Sequence, residues 1–274
     1  MNKEFFYLED NGLKILQSRL LADLDWLDHG FTTRLGGMSR GQYNSLNLAL
    51  HVGDDNAAVL SNRGKVSRVF NWQLENWSAG EQVHGCHIET VRKGGRGSLA
   101  AADAYSKTDG MITNVPGVVL STYAADCIPI LLCDPVKRAI GVVHAGWKGT
   151  VQLIAAEAVT ELEKNYGTDP ADCLAVIGPG IGPDCFEVDS KVKDIWQEKF
   201  SFCSEVVKAG RLKDKYFIDL WQTNKMQLIE RGLKPDNIAV AEISTFLGTD
   251  LFYSYRAEAG KTGRHAGLIC LKNR

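Results

Sequence analysis

Two imidazoles and one thiol stand at the ends of apolar segments, where a reactive side chain can be accessible while its backbone stays fixed. They are His84 in Gln-Val-His-Gly, Cys127 after Asp126, and His144 in His-Ala-Gly-Trp. Zinc binds histidine nitrogen and cysteine sulfur, and a catalytic zinc site keeps three protein ligands and one open position. We therefore predict that His84, Cys127 and His144 converge on one zinc ion.

The spacing of these residues leaves two other interpretations open, because it matches no local zinc motif. Cys127 and His144 could form the nucleophile–base pair of a cysteine hydrolase without metal, in which the imidazole takes the proton of the thiol. In that arrangement Asp126 or a nearby polar group would orient the imidazole. The remaining interpretation is a buried cysteine and a structural histidine.

Three apolar, β-branched segments predict strands around these residues, at 118–124, 128–132 and 139–143. Residues 77–91 also have a strand-like pattern, and they contain both His84 and His87. Two positions three residues apart on a strand face opposite ways, so only one of these histidines should point into a site. We choose His84, because Gln82 and Gly85 are less typical of a core than the neighbours of His87.

Helix signals alternate with these strands. Asp54 or Asp55 predicts a helix start, Thr150 predicts the start of a helix that ends at Gly167, and Asp219 predicts the start of a third helix. Further helix is expected over 192–200, and further strands over 173–177, 237–243 and 268–271. No linker, repeat or low-complexity run divides the chain, so we expect one domain over residues 1–274.

Charge and composition exclude several classes of protein. The 274 residues carry 31 basic and 33 acidic side chains, with no basic block, so no nucleic-acid partner is expected. No apolar run has the length of a membrane span, and the N-terminus lacks a signal core, so we expect a cytoplasmic protein without membrane contact. Seven scattered cysteines without a Cys-x-x-Cys pair argue against a disulfide framework. Monomer and homodimer both remain open.

Several motifs together resemble one known family over nearly the whole chain. In order, they are HGFTTRLGG (29–37), SLNL (45–48), QVHG (82–85), ADCIPILLCDP (125–135), HAGWKGT (144–150), IGPGIGP (177–183), FEV (186–188) and YSYR with TGR (253–264). This pattern resembles the YfiH-like family, also called multicopper polyphenol oxidoreductases or laccase-domain proteins, and its YlmD-type bacterial members in particular.

The resemblance implies a fold, a metal site and an activity. The fold would be α+β, a single domain with mixed β-sheets covered by helices, and zinc would be held by His84, Cys127 and His144. Family members act as purine nucleoside phosphorylases, which cleave adenosine, inosine and methylthioadenosine with phosphate to the free base and ribose 1-phosphate. Some also deaminate adenosine.

Basic residues are the candidates for substrate or phosphate contact. Arg34 lies beside two glycines, and the resemblance makes Arg34 and Lys148 candidates for binding purine nucleoside or phosphate. Lys148 stands where many relatives have arginine. Arg256 and Arg264 are further candidates for anion contact, and Ser244 is assigned no role.

The laccase name fits the residues poorly. A copper-dependent polyphenol oxidase with four coppers needs more imidazoles, in His-x-His pairs, than the six histidines of this chain provide. Cu²⁺ could still bind the same three ligands adventitiously, because copper exceeds zinc in affinity for such donors.

Overall fold

Long apolar segments of the chain form the strands at the centre of the molecule. The computed structural model describes residues 4–273. Its strands, in chain order, are β1 (Phe5–Asp10), β2 (Leu13–Ser18), β3 (Leu27–Thr32), β4 (Trp77–Ala79), β5 (Ile88–Thr90), β6 (Gly110–Thr113), β7 (Val119–Ala124), β8 (Ile128–Asp134), β9 (Ala139–Ala145), β10 (Leu174–Ile177), β11 (Glu187–Asp189), β12 (Val207–Ala209), β13 (Lys215–Ile218), β14 (Ile238–Val240) and β15 (His265–Leu271). Its α-helices are α1 (Arg19–Ala22), α2 (Asn56–Val69), α3 (Trp147–Val151), α4 (Ile154–Tyr166), α5 (Ser190–Lys199), α6 (Cys203–Val206) and α7 (Leu220–Glu230).

The strands form two large mixed sheets and one small sheet. The first sheet has the order β1-β2-β3-β15-β7-β4, in which only the β4–β7 pair is parallel. The second has the order β14-β10-β8-β9-β6-β5, with a parallel pair at each edge. The small sheet, β11-β13-β12, is antiparallel. The predicted α+β class, with mixed sheets covered by helices, is confirmed, and the single domain over 1–274 stays a prediction.

Alternating side chains of the central strands supply two separate cores. Leu131 and Val142, paired across β8 and β9, pack with Ile269 of the first sheet, so the two sheets lie face to face. The next residue on β8, Leu132, points the other way and packs with Ile154 of α4. Since both faces of these strands are covered, their sequences read as unbroken apolar runs.

Helices close both outer faces of the paired sheets. On the first sheet, Val66 of α2 packs with Ile15, Trp77 and Leu268. On the second sheet, the core beneath α4 also contains Leu228 of α7. The molecule therefore has four layers, namely helix, sheet, sheet and helix. Within residues 4–273, every helix is too short or too polar to span a bilayer.

Several helix boundaries follow their capping residues. Asp55 caps α2 by accepting a 3.1 Å hydrogen bond from the N–H of Ala57, and Asp219 caps α7 in the same way through Gln222. Gly167 ends α4 in the left-handed conformation, with φ of +69°.

The predicted helix start at Thr150 is wrong. A short helix, α3, already begins after Gly146, and Thr150 lies inside it. Leu153, with φ of +64°, then separates α3 from α4. Tertiary contacts favour this break, because the Thr150 carbonyl accepts a 2.8 Å hydrogen bond from the side-chain amide of Gln227 on α7.

The short connection from β7 to β8 crosses from the first sheet to the second. It contains residues 125–127, and it leaves β7 at Ala124, which pairs with His265 at the start of β15. It enters β8 at Ile128, which pairs with Ala145 at the end of β9. One end of both sheets is therefore held together at this crossing.

Candidate metal centre

Three potential ligands meet where the chain crosses between the sheets. Cys127 lies in the crossing itself, His144 lies near the end of β9, and His84 lies in the loop between β4 and β5. One ligand atom from each residue lies within 4.8 Å of the other two. The two imidazole rings meet edge to face, with centroids 4.9 Å apart. His87 lies outside this cluster, exposed and 3.6 Å from Glu89.

The segment that carries His84 is a loop and not the continuous strand that its pattern predicts. β4 ends at Ala79, β5 begins at Ile88, and His84 between them has φ of +61°. A non-glycine residue adopts this left-handed conformation only when its surroundings hold it there. The backbone N–H groups of this loop donate to a single buried carboxylate and not to a neighbouring strand.

That carboxylate belongs to Asp109, the residue before β6. It accepts hydrogen bonds from three consecutive N–H groups, those of Val83, His84 and Gly85, at 3.0, 2.9 and 2.8 Å. It also lies 2.9 Å from Nδ1 of His144, and the Asp109 carbonyl accepts the His144 N–H at 2.7 Å. One acidic residue thus positions both histidines, and it leaves Nε2 of His144 for the cluster.

Asp109 is the residue of this site that sequence reasoning missed. In the sequence it stands only in a Thr-Asp-Gly turn before an apolar segment. Its partners lie far from it along the chain, so no local pattern indicates its role. Asp126, which was considered as the residue that orients His144, does not do so.

Asp126 instead holds a distant segment against the crossing. Its Oδ1 accepts hydrogen bonds from the hydroxyls of Thr245 and Ser254, each at 2.7 Å. Its Oδ2 accepts the N–H of Arg256 at 2.6 Å. Because Asp126 directly precedes Cys127, these bonds fix the backbone of the thiol and bring the segment around residues 254–256 to the site.

Gly146 leaves the space in which the cluster forms. A Cβ atom at this position would lie 2.7 Å from Cδ2 of His84 and 3.0 Å from Sγ of Cys127. Both distances are shorter than ordinary van der Waals contact. A side chain here would therefore push the imidazole and the thiol apart.

The electrostatics of the cluster favour a thiolate. Burial raises the pKa of Cys127, but the neighbouring His144 and His84 outweigh burial and lower it to about 6. Burial lowers the pKa of His144, but Cys127 and Asp109 outweigh it and raise that pKa to about 9. A thiolate is the form that binds a metal. Two imidazoles, a thiolate and the space beneath Gly146 fit a zinc ion with three protein ligands.

A cavity of about 400 Å³ opens beside the cluster. This volume is within the range of small-molecule sites. Its walls combine aromatic rings with two guanidinium groups and the cluster itself. The lining residues are Gln82, His84, Tyr123, Ala124, Ala125, Asp126, Cys127, His144, Trp147, Ile181, Phe186, Leu220, Tyr255, Arg256 and Arg264.

The two arginines of this cavity have no acidic side-chain partner among residues 4–273. The guanidinium of Arg264 donates only to backbone carbonyls, those of Thr262 at 2.8 Å and Gly263 at 2.9 Å. Arg256 donates one long bond of 3.4 Å to the Glu187 carbonyl. Both guanidinium groups therefore keep donors for a ligand.

The other two basic candidates lie outside the cavity lining. Arg34 donates to the carbonyls of Asn44 and Thr249, forms an ion pair with Glu258 at 3.0 Å, and lies over the ring of Tyr253. Nε and Nη1 are thus occupied within the fold, and the charge of the guanidinium is paired with the Glu258 carboxylate. Lys148 is exposed, with Nζ 5.7 Å from the centroid of the Trp147 ring.

The layered fold and the two-histidine, one-cysteine cluster define a candidate metalloenzyme. The family model described as "Multi-copper polyphenol oxidoreductase laccase" matches residues 28–272, and the chain belongs to this family. Purine nucleoside phosphorylase YlmD from Bacillus subtilis (strain 168) is 38% identical over 245 residues, which cover 89% of this chain and 88% of that protein.

Two solved structures resemble the whole molecule. The crystal structure of a hypothetical protein YfiH from Bacillus licheniformis has a TM-score of 0.92 at 33% identity, covering 98% of this chain and 100% of that chain. The structure of YlmD from Geobacillus stearothermophilus also has a TM-score of 0.92, at 34% identity, with 98% and 99% coverage.

Replacing Gly146 tests the space for the cluster. We expect Gly146→Ala to lower the metal content of the purified protein, because the added methyl group displaces His84 and Cys127. Elemental analysis by mass spectrometry measures the metal bound per chain. Gly64→Ala is the matched control, because a Cβ there meets no atom within 4 Å. Equal metal content in the two variants would contradict the proposed crowding.

Replacing Asp109 tests its positioning role. We expect Asp109→Asn to weaken metal affinity by roughly 10- to 100-fold, as is typical when a group that orients a ligand is lost. The asparagine amide nitrogen would replace one carboxylate oxygen and oppose the two donors at that position with its own N–H groups, so the fold should lose stability. Competition with a chelator gives the affinity, and Asp103→Asn on an exposed loop is the control. Unchanged affinity would show that the histidines need no such support.

Proposed function

We propose that this chain is a metal-dependent purine nucleoside phosphorylase. The observation that carries the proposal is the His84, Cys127 and His144 cluster opening into a cavity with aromatic walls and unpaired arginines. The names of the relatives support an enzymatic role of this kind, since the Bacillus subtilis protein is named a purine nucleoside phosphorylase. Purine nucleoside and phosphate would be its substrates, and a cytoplasmic location is part of the proposal.

The cavity offers separate surfaces for the base and for phosphate. Trp147, Phe186 and Tyr255 give apolar faces on which a purine can stack. Arg264 is half-buried, so its charge is less screened by water than that of an exposed arginine. We assign the phosphate contact to Arg264, with Arg256 as a second donor. Adenosine, inosine and methylthioadenosine share the purine ring that this arrangement would recognise.

The same geometry reassigns the two basic residues named from the resemblance. Arg34 is proposed to hold the segment around Glu258, because its guanidinium is already paired there. Lys148 is proposed to add positive charge outside the cavity without direct contact.

The reaction needs little from the chain besides positioning. A phosphate oxygen forms a bond to the anomeric carbon, and the bond from that carbon to the purine nitrogen breaks. The base leaves with the proton that hydrogen phosphate gives up, and the sugar 1-phosphate forms. Holding the two reactants together supplies much of the rate enhancement in such a transfer. Arg264 orients the phosphate, and the aromatic walls exclude water.

Zinc would be held by His84, Cys127 and His144. When bound, it supplies a Lewis acid that stabilises negative charge developing on the substrate. Asp109 keeps Nδ1 of His144 engaged, so that the other ring nitrogen stays available as a ligand. Among the described residues, only His84 and His144 of the six histidines join this cluster, which does not provide the imidazoles of a four-copper oxidase.

Deamination of adenosine is not favoured by the geometry. Zinc deaminases use a carboxylate as a proton shuttle. Asp126 is the carboxylate that lines the cavity, and its two oxygens together already accept three hydrogen bonds from the chain. It is therefore not free to carry a proton to or from a substrate.

A cysteine hydrolase is the second candidate function. It is supported by the mutual pKa shifts of Cys127 and His144, which favour a thiolate beside an imidazolium. In that scheme His84 only helps to lower the pKa of the Cys127 thiol, whereas metal binding uses all three residues as ligands. Metal dependence therefore separates the two functions.

Phosphate dependence of base release tests the proposal. Protein of known metal content is incubated with adenosine, inosine or methylthioadenosine, with and without phosphate. We expect free base and the sugar 1-phosphate only when phosphate is present, which is ribose 1-phosphate from adenosine or inosine and 5-methylthioribose 1-phosphate from methylthioadenosine. Activity should be lost after chelation and recovered with Zn²⁺. Cys127→Ala should be inactive. Base release without phosphate would contradict the proposal, and inosine formed from adenosine would establish deamination.

Replacing Arg264 tests the assigned phosphate contact. We expect Arg264→Gln to raise the KM for phosphate by about tenfold or more, since a hydrogen bond to a charged group contributes about 1.5–3 kcal/mol. The KM for nucleoside should change much less. Arg211→Gln, at an exposed position outside the cavity, is the control. An equal rise in both KM values would assign Arg264 a general structural role.

A further inference from the structure

A second cavity, of about 450 Å³, lies behind one wall of the metal-site cavity. The two cavities share Gln82 and Tyr123 in their linings. The side-chain amide of Gln82 forms two hydrogen bonds with the backbone of Tyr123. It donates to the Tyr123 carbonyl at 2.8 Å and accepts the Tyr123 N–H at 2.8 Å. This wall is therefore rigid, and the second cavity is a neighbouring space with its own lining.

The distinctive residue of the second cavity is Arg63 on α2. Its side chain is almost completely buried, with 1% exposure, and it lines the cavity. Nε donates to the Leu48 carbonyl at 2.9 Å, and Nη1 donates to the carbonyls of Gly97 and Ser98 at 2.7 and 2.6 Å. The guanidinium also lies 4.9 Å from the centroid of the Tyr123 ring.

This buried cation is not neutralised by the chain. Among residues 4–273, no carboxylate forms an ion pair with Arg63, and its Nη2 donates no hydrogen bond. Burial of a charge without a counter-charge is costly, and such charges are ordinarily paired. Two of the three guanidinium nitrogens hold the fold together, and the third is left for a group in the cavity.

His51 lines the second cavity, and its residue is exposed on the outer side. The positive charges of Arg264 and Arg63 both act on its ring. Partial loss of hydration in the cavity, followed by these two arginines and His144, lowers the pKa of His51 to about 4. The neutral imidazole can donate one hydrogen bond without adding a further charge to the cavity.

The rim of the cavity carries one acidic residue, Glu81. Its carboxylate accepts hydrogen bonds from the Ser106 hydroxyl and the Lys107 N–H, each at 3.1 Å. The side chain is exposed, so water screens its charge. The interior charge of the cavity is therefore that of Arg63.

We propose that the second cavity binds a phosphate oxyanion through Nη2 of Arg63, with His51 as a further donor. Guanidinium groups bind phosphate with geometric specificity, and a dianion would supply the counter-charge that the chain lacks. The group could be inorganic phosphate or the phosphate ester of a nucleotide. This site is distinct from the phosphate contact assigned to Arg264, and oxyanion binding there requires no turnover.

The test measures binding of inorganic phosphate to metal-loaded protein by isothermal titration calorimetry. All variants carry Arg264→Gln, so that phosphate binding in the metal-site cavity contributes least to the measured heat. In this background we expect one phosphate per chain. Adding His51→Glu, which places a carboxylate against Arg63, should weaken binding at least tenfold. Adding Glu81→Gln should tighten it two- to fivefold, because a repulsive charge is removed from the rim.

The matched control is His87→Glu, which makes the same charge change on an exposed histidine outside both cavities. It should leave phosphate affinity within twofold of the background. Arg63 also donates to backbone carbonyls, so replacing it could destabilise the fold. Arg63→Lys is therefore used only if its thermal unfolding temperature matches that of the Arg264→Gln protein. Absence of saturable phosphate binding, or equal effects of His51→Glu and His87→Glu, would overturn the proposal.

A second arm, in protein with Arg264 intact, distinguishes the two sources of the oxyanion. Adenosine 5′-monophosphate that binds at least tenfold more tightly than phosphate, and loses this advantage with His51→Glu, would identify a nucleotide ester. Equal affinities would identify inorganic phosphate. A protein that binds phosphate in this way but releases no base from nucleosides would retain this site and refute the phosphorylase.

Discussion

The candidate site depends on the buried carboxylate of Asp109. It is 2% exposed, and its acceptor positions face three consecutive backbone N–H groups and one imidazole. Burial raises the pKa of Asp109, but His144 and the N–H groups outweigh burial and lower it. The carboxylate is therefore charged and fully partnered. Hydrogen bonds to a charged group contribute about 1.5–3 kcal/mol each, enough to hold His84 in its left-handed conformation.

The two sheets make this arrangement possible because they end at the same place. The carboxylate holds His84 from one loop and His144 from β9, while the crossing between sheets supplies Cys127. Asp126 fixes that crossing to the segment that carries Arg256. Each ligand comes from a different element, yet all three elements are anchored by buried core strands. Such support keeps ligand geometry within the narrow limits that metal sites require.

The sequence predicted the parts of this structure that follow local rules. Unbroken apolar runs placed β7, β8 and β9, and the side chains of Asp55 and Asp219 placed the starts of two helices. The three potential ligands were named from residue type and run ends, and the structure brings them together. Spacing alone left a hydrolase pair and a purely structural role open, and the family resemblance was what favoured a metal.

Features set by distant contacts could not be predicted. The strand pattern around His84 was overridden by Asp109, whose partners come from separate segments. Thr150 resembles a helix cap, but a side chain of α7 accounts for its position inside α3. Arg34 beside two glycines resembled an anion contact, although Glu258, far along the chain, occupies it. The sequence around a residue indicates which ligands its side chain could bind. Only the fold shows whether another part of the chain already occupies that side chain.

The same criterion separates the charges available to a ligand from those that are not. Asp109 and Asp126 both have their oxygens occupied by donors of the chain, so neither is free to accept a hydrogen bond from a ligand. Arg264 and Arg63 have no carboxylate partners among the described residues, and they lie on opposite sides of the Gln82 wall. Arg256, Arg264 and Arg63 therefore place positive charge in the two neighbouring cavities. A neutral nucleoside gains little from such a field, whereas phosphate gains a great deal, since its charge is met by donors already held in place.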